Sequence, residues 1–205
     1  AALVNNAGYS QSGAIEAVPL AEVRAQFETN VFGMARLIQL VLPGMRRHRT
    51  GRIVNLSSIG GKLVFPGGGY YHATKYAIEA MSDALRFEVQ GFGIGVVIIE
   101  PGLIRTGFSE AAVSAMSPVV ADPVYDTFHR EVARITRDVY HGGMLARLAG
   151  SPEDVAAVIA RALSAPRPRT RYTVSPSASL LLGLRRVVSD RIWDRFLAGS
   201  YPVPR

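Results

Sequence analysis

The stretch Arg52-Ile53-Val54-Asn55-Leu56, followed at once by Ser57-Ser58 and a glycine pair, decides the fold of this chain. A short apolar run that stops at small polar residues is typical of a buried strand and the turn at its carboxyl end. Two more runs stop in the same way: residues 1–4 before Asn5-Asn6-Ala7-Gly8, and residues 96–99 before Pro101-Gly102. The sequence therefore predicts strands with small or polar residues at their carboxyl ends.

Helical patterns separate these strands. Apolar residues recur at spacings of three and four, which indicates amphipathic helices, and Ser151-Pro152 is a typical helix start. The predicted helices are 20–47, 70–90, 123–140, 151–163 and a basic one at 179–197, with a last strand at 171–174. This alternation predicts an α/β fold with a parallel sheet covered by helices, and a ligand site at the carboxyl ends of the strands.

Composition excludes several classes of protein. The 205 residues are 48% apolar and 19% charged, which excludes intrinsic disorder. The chain has no cysteine, so it has no disulfide, thiolate nucleophile or cysteine-ligated metal, and its four histidines lack metal-ligand spacing. Residues 161–205 hold nine Arg and two Asp, which account for the whole net charge of +7. A near-neutral body with a basic tail does not indicate a nucleic-acid-binding protein.

Tyr71 and Lys75 form the first candidate pair. They are four residues apart in a predicted helix, so they lie on one face. An adjacent ammonium favours the phenolate, and we expect Lys75 to lower the pKa of Tyr71 from about 10 towards the range useful for a general acid or base. Tyr70 has Thr74 at the equivalent position and lacks such a partner. The alternative is an exposed pair on a solvated helix face.

Five stretches together resemble the short-chain dehydrogenase/reductase family. They are Asn5-Asn6-Ala7-Gly8, Asn30-Val31-Phe32-Gly33, Asn55-Leu56-Ser57-Ser58, Tyr71-His72-Ala73-Thr74-Lys75 and Pro101-Gly102-Leu103-Ile104-Arg105-Thr106. Their order and spacing agree with that family over residues 1 to about 110, and residues 151–175 resemble its last helix and strand.

The resemblance implies a catalytic role for four residues. Tyr71 would donate or accept the proton, and Lys75 would poise the phenol and bind the nicotinamide ribose. Ser58, thirteen residues before Tyr71, would hold the substrate oxygen, and Asn30 would hold a water that relays protons to Lys75. For Ser58 and Asn30 the alternatives are a turn serine and a satisfied buried amide. The implied activity is NAD- or NADP-dependent interconversion of a secondary alcohol and a ketone.

The resemblance also assigns the cofactor-binding residues, which are Asn6, Ala7, Gly8, Tyr71, Lys75, Pro101, Gly102, Ile104 and Thr106. No metal ligand is implied. The family's glycine-rich dinucleotide fingerprint is absent from this sequence. We therefore expect a Rossmann-like doubly wound parallel sheet that lacks the first three strands and two helices of the fold. We also expect residues 1–205 by themselves to bind the cofactor poorly, and their first strand to form an open edge.

The rest of the chain allows several interpretations. We expect one partial domain over residues 1–205, with a substrate lid at 103–150 and a basic amphipathic tail at 179–205. The lid residues Val113, Met116, Val119, Val120 and Phe128 favour either a lipophilic substrate, such as a steroid, retinoid or acyl chain, or a lid that packs its own core. The tail could contact an anionic membrane surface, another subunit or the core.

The resemblance predicts a cytoplasmic homo-oligomer, peripheral at a membrane if the tail binds one. Two other functions stay open. The chain could be a non-catalytic interaction module, or a sugar-nucleotide epimerase or dehydratase, which shares the Tyr–Lys pair. The thirteen-residue Ser–Tyr spacing and the short length disfavour the second of these.

Overall fold

The computed structural model describes residues 1–116 and 123–204. Within them, one parallel sheet has the strand order β1-β2-β3-β4. Its strands are β1 (Ala2–Asn5), β2 (Gly51–Leu56), β3 (Ile94–Pro101) and β4 (Arg171–Val174). Val4 pairs with Val54, and Val54 with Val97. The parallel sheet predicted from the sequence is confirmed, and β1 lies at its edge.

Helices cover the sheet. They are α1 (Leu20–Phe27), α2 (Gly33–His48), α3 (Gly69–Val89), α4 (Phe108–Ala115), α5 (Pro123–His141), α6 (Gly143–Arg147), α7 (Pro152–Ser164), α8 (Pro176–Val187) and α9 (Asp190–Ser200). Short 3₁₀ turns occupy Ile59–Gly61 and Gln90–Phe92.

Successive side chains of a strand point to opposite faces of the sheet. Both of these faces are buried. On one face, Ile53 and Val96 pack with residues of α2 and α3 such as Ile38 and Leu85. On the other face, a cluster of β2, β3, β4 and α7 residues includes Val54, Val97, Ile99, Val174 and Ala162. Helices on both faces make this the doubly wound, Rossmann-like arrangement.

The helix predicted at 20–47 is interrupted. A π-helical turn at Glu28–Phe32 separates α1 from α2. Asn30 lies in this turn and is 1% exposed. An extra residue per turn changes the direction in which side chains leave the helix, and such turns are frequent at functional sites. The prediction of one continuous helix is therefore wrong at the position of a candidate catalytic residue.

The basic helix predicted at 179–197 is also two helices. Val188 and Ser189 have extended backbone between α8 and α9. This bend lets both helices bury apolar side chains in one cluster, in which Leu181, Leu182 and Trp193 pack with Ile59 and Leu63. Among the three interpretations of the tail, these contacts support the core-covering one. No helix in the described part of the chain is long and apolar enough to cross a membrane.

The segment after β3 packs against the loop that follows β1. Phe128 and Val132 of α5 are buried with Ala14 and Ala17, and Met116 packs against this cluster. Phe128 thus contributes to a core of this segment, as one of the two interpretations proposed. Val119 and Val120 lie outside the described residues.

Gly61 lies at a close approach between the end of β2 and α3. A β-carbon there would lie 2.7 Å from Ser57 Oγ, 2.9 Å from Glu79 Cγ and 3.0 Å from the Lys75 carbonyl oxygen. We expect Gly61→Ala to lower the free energy of unfolding by about 1–3 kcal/mol, measured by urea denaturation. The control is Gly91→Ala, because a β-carbon at Gly91 has nothing within 4 Å. Equal stability of the two variants would contradict this packing.

Candidate functional site

The carboxyl ends of β1 and β2 are joined by buried side-chain hydrogen bonds. Asn5 Nδ2 donates to Asn55 Oδ1 at 2.8 Å, and Asn55 Nδ2 donates to Ser82 Oγ of α3 at 2.9 Å. Ser82 Oγ in turn donates to the Ile78 carbonyl. This chain of bonds fixes α3, which carries Tyr71 and Lys75, against the ends of both strands.

Asn30 connects the loop after β1 to α3. Its Oδ1 accepts a hydrogen bond from Tyr9 N at 3.1 Å, and its Nδ2 donates to Tyr9 O at 2.9 Å and to Thr74 Oγ1 at 3.1 Å. Both amide hydrogens are therefore used within the protein. The side chain acts as a clamp between these two segments, which corresponds to the satisfied-amide alternative in the sequence analysis.

Lys75 and Gly8 lie beside this clamp. The Lys75 side chain is buried, and its Nζ donates to the Leu56 carbonyl at the end of β2 at 2.9 Å. A β-carbon at Gly8 would lie 3.2 Å from Asn30 Oδ1 and 3.7 Å from Lys75 Nζ. Asn30, Lys75 and Gly8 are thus neighbours, and the absence of a side chain at Gly8 keeps the strand end open beside the ammonium group.

Ser58 and Tyr71 are also brought together. Ser58 lies close enough to the Tyr71 hydroxyl to act on its pKa. Ser58 Oγ accepts from Gly60 N at 3.1 Å and lies 3.5 Å from Pro101 O at the end of β3. The ring of Tyr71 packs against Phe108 of α4, with 5.4 Å between the ring centroids. Ser57 is buried instead, and its Oγ is 3.5 Å from Ser58 O.

The pKa of Tyr71 does not move in the direction that the sequence predicted. Burial of the hydroxyl raises the pKa of Tyr71 above the usual range of a phenol, and the nearby Ser58 side chain only partly opposes this. Lys75 Nζ lies 5.6 Å from the centroid of the Tyr71 ring and is itself desolvated. Burial lowers the pKa of Lys75 to about 8, and the charge of Glu79 opposes that decrease. In this structure Tyr71 is therefore a neutral phenol at pH 7.

The residues expected to bind a cofactor lie around this site, except for the side chain of Ile104. Asn6, Ala7 and Gly8 are exposed at the end of β1, and Pro101 and Gly102 lie at the end of β3. A β-carbon at Gly102 would come within 2.7–2.8 Å of the first residues of α8, so only glycine fits there.

Ile104 and Thr106 follow in the next turn. Thr106 is exposed, and its Oγ1 accepts from Phe108 N at 3.2 Å. The Ile104 side chain is buried in the cluster around α7, and its backbone bridges to Gly150. The Ile104 side chain therefore packs in the core, and only its backbone is left for the expected cofactor contact.

Three residues of this region were missed by the sequence analysis. Thr74 accepts the bond from Asn30 and donates to the Tyr71 carbonyl at 2.7 Å. Tyr140 of α5 lies close enough to Tyr71 to raise its pKa further. His72 ties the loop after β2 to α3. Of these three residues, only Thr74 could have been identified from the sequence, because it is a hydroxyl residue one position before Lys75 on the buried side of the helix.

His72 is held as a neutral imidazole. Its Nδ1 donates to Gly60 O and its Nε2 accepts from Phe65 N, both at 3.2 Å, and burial lowers its pKa to about 4. In the unfolded chain this group titrates near pH 6.5. The unfolded state therefore takes up a proton first as the pH falls. We expect His72 to contribute to stability above about pH 6.5 and this contribution to be lost towards pH 4, by about 3 kcal/mol.

Urea denaturation of the wild type and of His72→Gln between pH 4 and pH 7 measures this effect. The wild type should lose stability more steeply than the variant over this range, because the variant has no imidazole at this position. Parallel pH dependences of the two proteins would show that His72 is not the neutral group that the hydrogen bonds require.

Comparisons with known proteins agree with this architecture. The model of the family described as short chain dehydrogenase matches residues 1–117. The chain is 35% identical, over 96% of its length, to an Escherichia coli protein named as uncharacterized oxidoreductase YbbO, of which it covers 66%. It is also 35% identical, over 87% of its length, to the 3-ketodihydrosphingosine reductase of Bacteroides thetaiotaomicron, of which it covers 64%.

Solved structures give the same result. A short-chain dehydrogenase from Streptomyces avermitilis matches with a TM-score of 0.72 and 36% identity, over 97% of this chain and 70% of that one. A serine dehydrogenase complexed with NADP+ matches with a TM-score of 0.69 and 27% identity, over 85% of this chain and 64% of that one. The chain spans about two thirds of the length of the curated relatives named above. It belongs to the short-chain dehydrogenase family of oxidoreductases.

Proposed function

We propose that this protein is an NAD(P)-dependent oxidoreductase that interconverts a ketone and a secondary alcohol, with Tyr71 as the general acid or base. The observation that carries the proposal is that three groups meet: Ser58 lies close enough to Tyr71 to act on its pKa, and Lys75 Nζ, from one helical turn further along α3, lies 5.6 Å from the centroid of the Tyr71 ring. These groups lie where the carboxyl ends of β2 and β3 meet, which is the usual ligand-binding edge of such a sheet.

The residues at this edge fit a nicotinamide nucleotide. Gly8 leaves space beside Asn30 and Lys75 because glycine has no β-carbon. The exposed Asn6 and Ala7 flank that space, and Lys75 offers a positively charged donor for the ribose hydroxyls. Pro101, Gly102, the backbone of Ile104 and Thr106 would hold the nicotinamide side. When bound, the cofactor supplies the hydride.

The protonation states favour carbonyl reduction at neutral pH. Ser58 would donate a hydrogen bond to the carbonyl oxygen and stabilise the negative charge that develops there. Tyr71 is a neutral phenol at pH 7 and has the proton that this oxygen needs, and burial raises its pKa further. The charge of Lys75 would then stabilise the tyrosinate that remains. In alcohol oxidation the same groups would act in reverse, with Tyr71 accepting the proton.

A lipophilic ketone is the substrate class that we propose. Phe108 packs on the Tyr71 ring, and Val113 of the same helix is buried, so α4 places an apolar ring directly against the proposed proton donor. Two relatives are named for ketones, 3-ketodihydrosphingosine reductase and the NADPH-dependent 3-dehydrocapnine reductase of Ornithobacterium rhinotracheale. Residues 103–150 would serve as the substrate lid.

The test uses the complete gene product, with whatever precedes Ala1. Oxidation of NADH and of NADPH is followed by absorbance with long-chain ketones, including 3-ketodihydrosphingosine, and with short-chain ketones as controls. We expect turnover with a long-chain ketone that exceeds turnover with the short ones. A folded protein that binds neither cofactor and turns over no ketone would contradict the proposal and favour a non-catalytic interaction module.

A further inference from the structure

Glu79 is a buried acid one helical turn beyond Lys75 on the same face of α3. It is 4% exposed. Its Oε2 is shared by Lys62 Nζ at 2.9 Å and Arg171 Nη2 at 3.0 Å. Its other oxygen, Oε1, is buried and has no hydrogen-bond partner among the described residues. The catalytic site as described above makes no use of this group.

Other charged groups surround Glu79. Arg171 of β4 also contacts Asp83 at 2.6 Å and Glu100 of β3 at 3.4 Å. Asp83 pairs in addition with Arg86 of the same helix. From α8, Arg185 and Arg186 line a cleft of about 440 Å³, together with Lys62, Asp83, Glu100, Arg171 and Leu182, and Arg185 itself pairs with Asp190.

Burial distinguishes the ion pairs that Glu79 makes with Lys62 and Arg171 from the interaction of Glu79 with Lys75. The side chains of Lys62 and Arg171 are 38% and 29% exposed, so water screens part of their interaction with Glu79. Lys75 and Glu79 are both buried, and the field between them is screened much less. Among the described residues, Lys75 Nζ has the neutral Leu56 carbonyl as its hydrogen-bond acceptor. A buried ammonium needs a counter-charge to remain charged.

We propose that Glu79 is a positioning residue of the catalytic site: its buried carboxylate keeps Lys75 in the ammonium form and so maintains the positive charge beside Tyr71. This inference rests on the proposed function for its catalytic meaning. The direction of the pKa values agrees with it, because burial lowers the pKa of Lys75 to about 8 and Glu79 opposes that change. Without Glu79, a larger fraction of Lys75 would be uncharged at neutral pH.

Asp83 provides the matched control. It lies one turn beyond Glu79 and contacts the same Arg171, but its side chain is 45% exposed. Asp83→Asn therefore removes a negative charge from the same network without removing a buried one. If Glu79 acted only by anchoring Arg171, the two variants would affect Lys75 alike.

The direct test is a lysine titration that needs no turnover. Lys62 and Lys75 are the only lysines of the 205 residues. Labelling lysine with ¹³C at Cε therefore gives two side-chain signals from these residues, and Lys62→Arg assigns them. We expect Glu79→Gln to lower the pKa of Lys75 by about one unit or more, and Asp83→Asn to leave it unchanged. An unchanged Lys75 pKa in Glu79→Gln would overturn the proposal.

Folding and activity are tested separately. If Glu79→Gln does not fold, Glu79→Gln combined with Arg171→Gln removes both members of that ion pair together, and a decrease in the Lys75 pKa is still expected. In the complete gene product, the alkaline limb of kcat/KM for Glu79→Gln should move to lower pH by the same amount. A limb that stays in place while Lys75 titrates lower would refute the catalytic meaning. A wild type with no turnover would refute the proposed function and leave the titration result standing.

Discussion

Replacing Tyr71 by phenylalanine is expected to lower kcat of the complete gene product by about 10²–10⁴-fold, because the proton donor of the reaction is removed. The change deletes one oxygen atom and leaves the ring, which packs against Phe108 and His72. The fold should therefore persist. Steady-state kinetics with the best long-chain ketone, together with cofactor titration, measures the effect. We expect KM and cofactor affinity to change far less than kcat.

Tyr70→Phe is the matched control for this variant. Tyr70 directly precedes Tyr71 on α3, but its hydroxyl donates to the Ile15 carbonyl at 3.1 Å and lies outside the site. Activity of Tyr70→Phe should stay near that of the wild type. Comparable turnover of Tyr71→Phe and wild type would mean that another group donates the proton, and the proposed mechanism would be wrong.

The sequence was sufficient for the sheet because each strand repeats one simple physical pattern. Val54, Val97 and their neighbours are apolar on both faces, and small or polar residues follow each strand. A strand buried on both faces requires helices on both sides, and parallel strands place their carboxyl ends at one edge. The parallel sheet and the meeting of Ser58, Tyr71 and Lys75 at one edge followed from this. None of these depends on the detailed position of a side chain.

The pKa of Tyr71 could not be predicted in the same way. The helical spacing correctly predicted that Tyr71 and Lys75 are neighbours. The expected effect of the ammonium on the pKa of Tyr71 assumes a short distance between the two charges. Desolvation acts on both groups, and the spacing carries no information about the degree of burial. In the structure burial outweighs the attraction for Tyr71, so the sign was wrong although the pair was correct.

The helix interruptions have a similar explanation. Apolar residues on either side of Asn30 fit one continuous helix, whereas in the structure the π-helical turn accompanies hydrogen bonds from the Asn30 amide to Tyr9 and Thr74. These partners are 21 and 44 residues away along the chain. The bend at Val188 and Ser189 likewise depends on the surface around Ile59 and Leu63 that both helices cover. Periodicity within a segment does not report such distant contacts.

Ser58→Ala should have the second large effect, a decrease in kcat of about 10²–10³-fold. The Ser58 hydroxyl lies close enough to Tyr71 to act on its pKa, and in the proposed mechanism it donates a hydrogen bond to the substrate oxygen that receives the proton of Tyr71. Its loss removes a bond that becomes stronger as negative charge develops on that oxygen. The effect should therefore appear in kcat more than in KM.

Ser57→Ala separates this role from a general effect of the loop. Ser57 is the adjacent serine, but it is buried at the end of β2 and is 3.5 Å from the Ser58 carbonyl instead of facing Tyr71. We expect kcat of this variant to stay within a few-fold of the wild type. Ser58 Oγ also accepts from Gly60 N, so thermal unfolding of both variants must be measured alongside the kinetics. If Ser57→Ala lost as much activity as Ser58→Ala at equal stability, the hydroxyl of Ser58 would not be the group that holds the substrate oxygen, because loss of either serine would then act through the conformation of the loop that they share.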